Sequence, residues 1–147
     1  NTFGLEVSGG YTSGTGFLRR VTLSYGYITT DRREDIVAKS AMDFMRHKAA
    51  LSVGVHFLRR MSLVLTGSVY DRNGEYTYYP VVGDSSQNEP RSFEPYFLLD
   101  GRLQWEKGWC RLYVDATNIT DSRYCDMGGI PLPGFWCIAG VTLTFGR

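Results

Sequence analysis

Tyr96-Phe-Leu-Leu-Asp-Gly-Arg-Leu-Gln-Trp105 is the first of three segments that decide the fold of this chain. The other two are Cys110-Arg-Leu-Tyr-Val-Asp-Ala-Thr-Asn118 and Phe135-Trp-Cys-Ile-Ala-Gly-Val-Thr-Leu-Thr-Phe145. Apolar residues alternate with polar or small ones in each segment, which is the period of a β-strand with two unlike faces. Aromatic residues cluster near the strand ends. Together these features are typical of a transmembrane β-barrel, whose strands are apolar toward lipid and polar toward the lumen.

The composition of the 147-residue chain favours strands and gives no sign of a nucleic-acid partner. The chain holds 17 Gly, 10 Tyr, 8 Phe and 3 Trp, which are common in strands and turns. Its 16 basic residues nearly balance 15 acidic ones, so the net charge of +1 offers no basic surface. No apolar run of about 18 residues could span a membrane as a helix. Residues Asn1–Val7 lack the regions of a signal peptide, so we expect a mature or internal start.

Four earlier segments show the same alternation, so we predict about seven antiparallel strands. These segments are Thr2–Ser8, Arg20–Tyr27, His47–Phe57 and Met61–Tyr70. Short turns alternate with long loops, as in an up-and-down barrel with short periplasmic turns and longer outer loops. The predicted long loops are Ile28–Arg46, with one helical turn near Ala38, then Asp71–Pro95 and Ile119–Gly134. The predicted fold class is all-β, a transmembrane antiparallel up-and-down β-barrel segment.

The alternation divides the predicted strands into two faces of different chemistry. The face predicted to meet lipid carries no charge and consists of Phe3, Leu5, Val7, Val21, Leu23, Tyr25, Ala49, Leu51, Val53, Val55, Leu63, Leu65, Gly67, Val69, Leu99, Gly101, Leu103, Trp105, Leu112, Val114, Ala116, Ala139, Val141, Leu143 and Phe145. A Lys or Arg there would cost roughly 2–4 kcal/mol near the bilayer midplane. The opposite face, predicted to line the lumen, carries Glu6, Arg20, Lys48, His56, Asp100, Arg102, Gln104, Arg111 and Asp115.

The placement of aromatic residues favours a membrane barrel over a soluble sandwich, which also keeps charges off its core face. Aromatic residues fall at both ends of the strands: Phe57, Trp105, Trp109 and Phe145 at the short turns, and Tyr27, Tyr70, Phe97 and Phe135 toward the long loops. Two such rings are the expected interfacial girdles.

The charged face admits two interpretations. Its residues could form a substrate pathway, or they could pair with one another and with a plug, since buried charges need compensation. Asp100 and Arg102 are suited to pairing with Arg111 and Asp115 on the adjacent strand.

Other residues give candidate contacts but no catalytic group. The aromatic loop residues are candidate extracellular ligand contacts or, equally, parts of a packed hairpin: Tyr76, Tyr78, Tyr79, Phe93 and Tyr96. Cys125 and Cys137 are a candidate disulfide pair, the alternative being free thiols, while Cys110 lies at the opposite end of its strand. His47 and His56 fall on opposite faces, so we predict no metal or haem site. No nucleophile with an adjacent base is present, so we predict neither catalysis nor a cofactor.

The end of the chain resembles the C-terminal end of TonB-dependent outer-membrane receptors. The resemblance rests on Leu99-Asp-Gly-Arg-Leu-Gln-Trp105, on Asn118-Ile-Thr-Asp-Ser-Arg-Tyr124 after the penultimate strand, on Gly129-Ile-Pro-Leu-Pro-Gly-Phe-Trp136 before the last, and on Val141-Thr-Leu-Thr-Phe145. Upstream, Ala41–Lys48 and Tyr70–Thr77 are similar to loop-to-strand junctions in vitamin B12 and haem or siderophore receptors of Bacteroidetes. Gly146 and Arg147 depart from the pattern, because such barrels usually end on the aromatic residue.

The resemblance implies a roughly 22-stranded barrel in the bacterial outer membrane, of which residues 1–147 would form the last third. It also implies uptake of a scarce nutrient such as vitamin B12, haem or a siderophore-like ligand. Expected partners are the rest of the barrel and its plug domain, the TonB complex acting through that plug, lipid or lipopolysaccharide, and a surface lipoprotein. We expect the plug and about fifteen further strands upstream or in another chain. The alternatives are a passive porin or structural barrel without TonB coupling, and a soluble β-sandwich or lipocalin-like binding module.

Overall fold

The computed structural model describes residues 2–30, 44–80, 88–126 and 130–146, and the described part of the chain is built from strands. In chain order these are β1 (Thr2–Thr12), β2 (Leu18–Thr30), β3 (Phe44–Phe57), β4 (Met61–Asn73), β5 (Glu75–Tyr78), β6 (Glu89–Ser92), β7 (Tyr96–Lys107), β8 (Cys110–Thr117), β9 (Cys125–Asp126), β10 (Ile130–Pro131) and β11 (Trp136–Leu143). Among the described residues, no helix has the length and apolarity needed to cross a membrane.

Seven of the strands form one antiparallel sheet in the order β1-β2-β3-β4-β7-β8-β11. Each strand pairs with the next main strand along the chain, which confirms the predicted up-and-down order of about seven antiparallel strands. β1 and β11 occupy the two edges of the sheet. Within the described ranges the sheet is therefore open and does not close into a barrel.

The strands reach further into the long loops than the alternation predicts. β4 continues through Asp71 to Asn73, opposite the start of β3. The predicted loop Asp71–Pro95 contains the β5–β6 hairpin, and the predicted loop Ile119–Gly134 contains the short β9–β10 ladder. Strand pairing depends on backbone hydrogen bonds and not on the side chains. The strands therefore continue into segments where the side chains are polar on both faces and no longer alternate. The helical turn predicted near Ala38 lies outside the described residues.

The register confirms the predicted division of side chains between two faces. Directly paired residues share a face, and one row runs Val7, Tyr25, Ala49, Val69 and Phe97 across five strands. The apolar positions form one continuous surface, called here the apolar face. The nine residues predicted on the other side fall together on the charged face. Two charges also lie on the apolar face, but only at strand ends, where Asp71 pairs with His47 and Lys107 with Cys110.

The apolar face stays exposed, and the sheet encloses almost no core. Phe93 is the buried hydrophobic residue among the described positions, at 9% exposure, and it belongs to a loop. Seven strands about 4.8 Å apart, with eight residues each at about 3.3 Å, give an apolar face of roughly 900 Å². The largest apolar patch on a typical soluble monomer is roughly 300–600 Å². The face therefore needs a covering that the described residues do not supply.

Gly140 of β11 permits close packing on the charged face. It lies opposite Tyr113 of β8, and a Cβ at position 140 would collide with the end of the Tyr113 ring. The guanidinium carbon of Arg102 lies 4.8 Å from the centre of the same ring. The ring is thus held between a glycine and a cation, which joins the last three strands of the sheet.

Replacing Gly140 with Ala is expected to displace Tyr113 and to lower the free energy of unfolding by about 1–3 kcal/mol, as overpacking does. Gly26→Ala is the matched control, because Gly26 lies on the same face and a Cβ there meets nothing within 4 Å. Urea denaturation followed by fluorescence would measure both variants. Equal stability of the two variants would contradict the packing role of Gly140.

Candidate functional site

A groove at the long-loop end of the sheet is the candidate functional site. It lies between the β5–β6 hairpin and the segment that contains β9 and β10, and we call it the outer groove. Its lining residues are Tyr76, Arg91, Ser92, Phe93, Glu94, Pro95, Tyr96, Ser122, Arg123, Tyr124, Cys125, Pro131, Leu132 and Gly134. The lining combines aromatic rings with two guanidinium groups and one carboxylate, an arrangement suited to binding rather than to bond breaking.

Three of the five aromatic residues predicted as ligand contacts line this groove, namely Tyr76, Phe93 and Tyr96. The ring centres of Tyr76 and Phe93 are 5.2 Å apart, so these residues also pack the loop, as the alternative interpretation proposed. Tyr78 and Tyr79 are not among the lining residues. The ring of Tyr78 instead lies 3.8 Å from the guanidinium carbon of Arg91, across the β5–β6 hairpin.

A column of three tyrosines connects the outer groove with the charged face. The ring centres of Tyr70 and Tyr96 are 5.0 Å apart, and those of Tyr96 and Tyr124 are 4.5 Å apart. The Lys48 ammonium lies 5.5 Å from the Tyr70 ring, at the other end of the column. Because the rings stack on one another, the column stiffens the groove wall. The edges of the rings, and not their faces, are left for other contacts. Tyr70 lies on the charged face, as the alternation of β4 indicates, and at the long-loop end of its strand.

The chain makes a tight hydrogen-bonded turn just after β8, called here the knot, and two of its residues, Ser122 and Gly134, line the groove. Asn118 and Asp121 have positive φ angles of 49° and 51°, a region that Asn and Asp tolerate better than most residues. The Asn118 side chain donates to the carbonyls of Ser122 (2.9 Å) and Pro133 (3.4 Å) and accepts from the Ser122 amide (2.9 Å). Asn118 is buried, so these bonds satisfy an otherwise costly amide.

The knot is tied to the sheet on one side and to the approach to β11 on the other. A carboxylate oxygen of Asp100 accepts a hydrogen bond of 2.9 Å from the Asn118 amide. A carboxylate oxygen of Asp121 accepts one of 2.9 Å from the Phe135 amide. A Cβ at Gly134 would collide with the Asp121 carboxylate, so a larger residue there would displace that carboxylate from its bond to Phe135. The Asn118–Tyr124 motif therefore links the end of β8 to β7 and to the start of β11.

Two ion pairs join β7 and β8 on the charged face, and one of them differs from the predicted partners. Arg102 and Asp115 form a two-pronged ion pair, with N–O distances of 2.8 Å and 3.0 Å, as predicted. Arg111 pairs with Glu106 at 3.0 Å, the residue directly opposite it on β7. Asp100 was expected to pair with a cation, and it instead accepts the Asn118 amide. Its position at the mouth of the knot, beyond the Arg102 row, explains this difference.

The histidines have local partners on opposite faces. The Tyr25 hydroxyl lies 2.7 Å from Nδ1 of His47, and the Tyr27 ring centre is 4.9 Å from that of His47. Nε2 of His56 lies 3.5 Å from the Arg59 carbonyl at a short turn. Across the described ranges, no group of three or more His, Cys, Asp or Glu residues is placed to hold a metal ion.

The three cysteines are free thiols in the structure, which is the alternative to the candidate disulfide between Cys125 and Cys137. Cys137 lies within β11 and pairs with Ala116 on the apolar face, whereas Cys125 lies in the groove wall. The two residues thus belong to different surfaces, and proximity in sequence does not bring their side chains together.

Sequence reasoning missed several lining residues of the outer groove. Arg91 and Arg123 were not proposed, because charged residues in a loop follow no periodic pattern that would distinguish a lining residue from an ordinary surface residue. Tyr124 was noted only as the last residue of the Asn118–Tyr124 motif. A signal for it was present, since an aromatic residue that closes a turn-forming Asn and Asp motif is well placed to pack back on the sheet.

Replacing Asn118 with Asp is expected to lower the free energy of unfolding by about 2–4 kcal/mol. The introduced carboxylate cannot donate to the Ser122 and Pro133 carbonyls, and it lies near the carboxylate of Asp100. Thr120→Ala is the control, because Thr120 is exposed and bonds only at the surface, to the Ser122 hydroxyl. Thermal unfolding of both variants would test this, and a stable Asn118→Asp protein would refute the bracing role.

Comparison of the chain with protein-family models, with curated proteins and with solved structures found no match. No family membership is therefore assigned on those grounds. The function has to be argued from the two faces of the sheet, from the outer groove and from the resemblance of the Asn118–Tyr124 motif and its flanking strands.

Proposed function

We propose that this chain is the C-terminal wall segment of a TonB-dependent receptor in the bacterial outer membrane. It would supply part of the barrel wall, part of the lumen lining and a set of extracellular loops. The cargo class that follows from the resemblance is a scarce nutrient such as vitamin B12, haem or a siderophore-like ligand. The partners are the remaining barrel strands and the plug domain, the TonB complex acting through that plug, outer-membrane lipid or lipopolysaccharide, and a surface lipoprotein.

The observation that carries this proposal is the exposed apolar face of a seven-stranded sheet whose other face is charged. A soluble sandwich would need a second sheet packed about 10 Å away on that apolar face. The described residues offer only two small two-stranded ladders, both at the long-loop end. A lipid bilayer would cover the face without further protein, and strands of about 9–11 residues suffice to cross one.

The two open edges of the sheet support the idea that further strands complete the structure. Edge strands present unpaired amides and carbonyls, and each such group costs several kcal/mol inside a bilayer. β1 and β11 would pair with strands from the rest of the barrel. The outer groove would then lie at the extracellular mouth, where loops commonly carry ligand specificity.

The central strand β4 offers a matched pair of positions for testing the orientation toward lipid. Leu65 and Val64 are neighbours with similar exposure, 39% and 40%, but Leu65 lies on the apolar face and Val64 on the charged face. Leu65→Lys is expected to weaken insertion of the full-length protein into phosphatidylcholine vesicles by about 2–4 kcal/mol. Val64→Lys is expected to insert nearly as well as the unmodified protein.

Vesicle flotation after refolding would measure insertion of both variants. Similar behaviour of the two variants, or a monodisperse protein without detergent, would sink the membrane assignment. Coupling to TonB is a separate question. Nutrient uptake that stops when TonB is deleted would support the receptor, whereas unchanged uptake would favour a passive porin.

A further inference from the structure

The short-turn end of the sheet repeats one combination of residues at every turn. We call this end the turn rim; it comprises the links 13–17, 58–60 and 108–109 with the strand residues beside them. Each turn places an exposed large apolar side chain within two positions of a cation. The three combinations are Phe17 with Arg19, Leu58 with Arg59 and Arg60, and Trp109 with Lys107. The apolar members are 64%, 76% and 61% exposed, respectively.

The charge of the turn rim is strongly positive. Its cations are Arg19, Arg59, Arg60 and Lys107, and Arg111 lies beside them on the charged face. Among its described residues the carboxylate that opposes them is Glu106, which is already paired with Arg111. The long-loop end differs, because acidic and basic residues alternate there, as in the pair formed by Glu89 and Arg91. The near-zero net charge of the whole chain thus conceals a basic end.

The residues of the turn between β3 and β4 are not those that its backbone conformation favours. Leu58 and Arg59 have positive φ angles of 50° and 57°, which strain any residue with a β carbon. The link 58–60 has three residues, and positions of positive φ in such turns are more often taken by glycine or asparagine. A leucine and an arginine at these positions therefore serve something other than the turn, and both side chains are exposed.

The turn rim also continues the apolar face. Phe57 and Met61, directly paired at the end of the β3–β4 hairpin, lie on that face beside Leu58. The ring centres of Trp109 and Phe145 are 6.1 Å apart at the end of β8 and β11. At these two turns apolar side chains continue from the apolar face to its basic end, which is the layout of a surface lying at a membrane interface.

We infer that the turn rim binds the anionic phospholipid headgroups of the leaflet that it faces. The apolar member of each turn would enter the acyl boundary, and its cation would lie against the headgroup phosphates. This inference rests on the proposed function, because it requires the sheet to span a bilayer. The repetition at three turns, across the width of the sheet, fits a planar lipid surface better than a single acidic protein contact.

The test uses the full-length protein in phosphatidylcholine vesicles with and without phosphatidylglycerol, and native mass spectrometry to count the phosphatidylglycerol retained per protein. Arg59→Gly removes one cation and places glycine at a positive φ, so folding is expected to be retained. We expect retention of phosphatidylglycerol to fall about fivefold for each cation removed. Lys107→Gln, in a different turn, is expected to give the same loss.

Arg20→Gln is the matched control. It removes the cation next to Arg19 but from the charged face, where Arg20 pairs with Gly54, so phosphatidylglycerol retention should not change. If all four proteins insert into vesicles and retain phosphatidylglycerol equally, the inference is overturned and the proposed function stands. If the unmodified protein enters neither vesicle type, the proposed function itself fails.

Discussion

Backbone pairing between antiparallel neighbours is the constraint on which the rest of this structure depends. In a strand, successive side chains point to opposite faces, so a slip of one residue at any ladder would move a whole strand from one face to the other. Six ladders keep the same phase from β1 to β11. Even the two irregularities, between Leu18 and Arg20 and between Met45 and His47, lie near strand ends, so the central rows keep their faces.

This constraint explains why so much of the fold could be predicted from the chain alone. Alternation can be read from each strand alone. Because every ladder keeps the same register phase, the alternation of single strands predicts the two faces of the whole sheet and the order of its main strands. The boundaries did not, because β4 continues past Tyr70 through polar residues held by main-chain bonds. The hairpins within the long loops were missed for the same reason.

The candidate site was less accessible to sequence reasoning. The knot beside it is held by hydrogen bonds between side chains and backbone and by positive φ angles at Asn118 and Asp121, and none of these features has a period in the sequence. Aromatic content did indicate part of the lining, since Tyr76, Phe93 and Tyr96 meet there. The ion pairs of the charged face were only partly predicted. The register places Glu106 directly opposite Arg111, and the Asp100 carboxylate accepts a hydrogen bond from the backbone amide of Asn118 instead of pairing with a cation.

The knot after β8 separates the base of the last long loop from its tip. Asn118 reaches across the loop to Pro133, and Asp121 holds the amide of Phe135, so both ends of the loop are fastened to each other. Residues of the loop that make none of these contacts, such as Arg123 in the groove wall, can be exchanged without loosening the link between β8 and β11. The base of the loop is therefore fixed by these contacts. Substitutions at its other positions would change what the groove recognises and leave the strands of the wall unchanged.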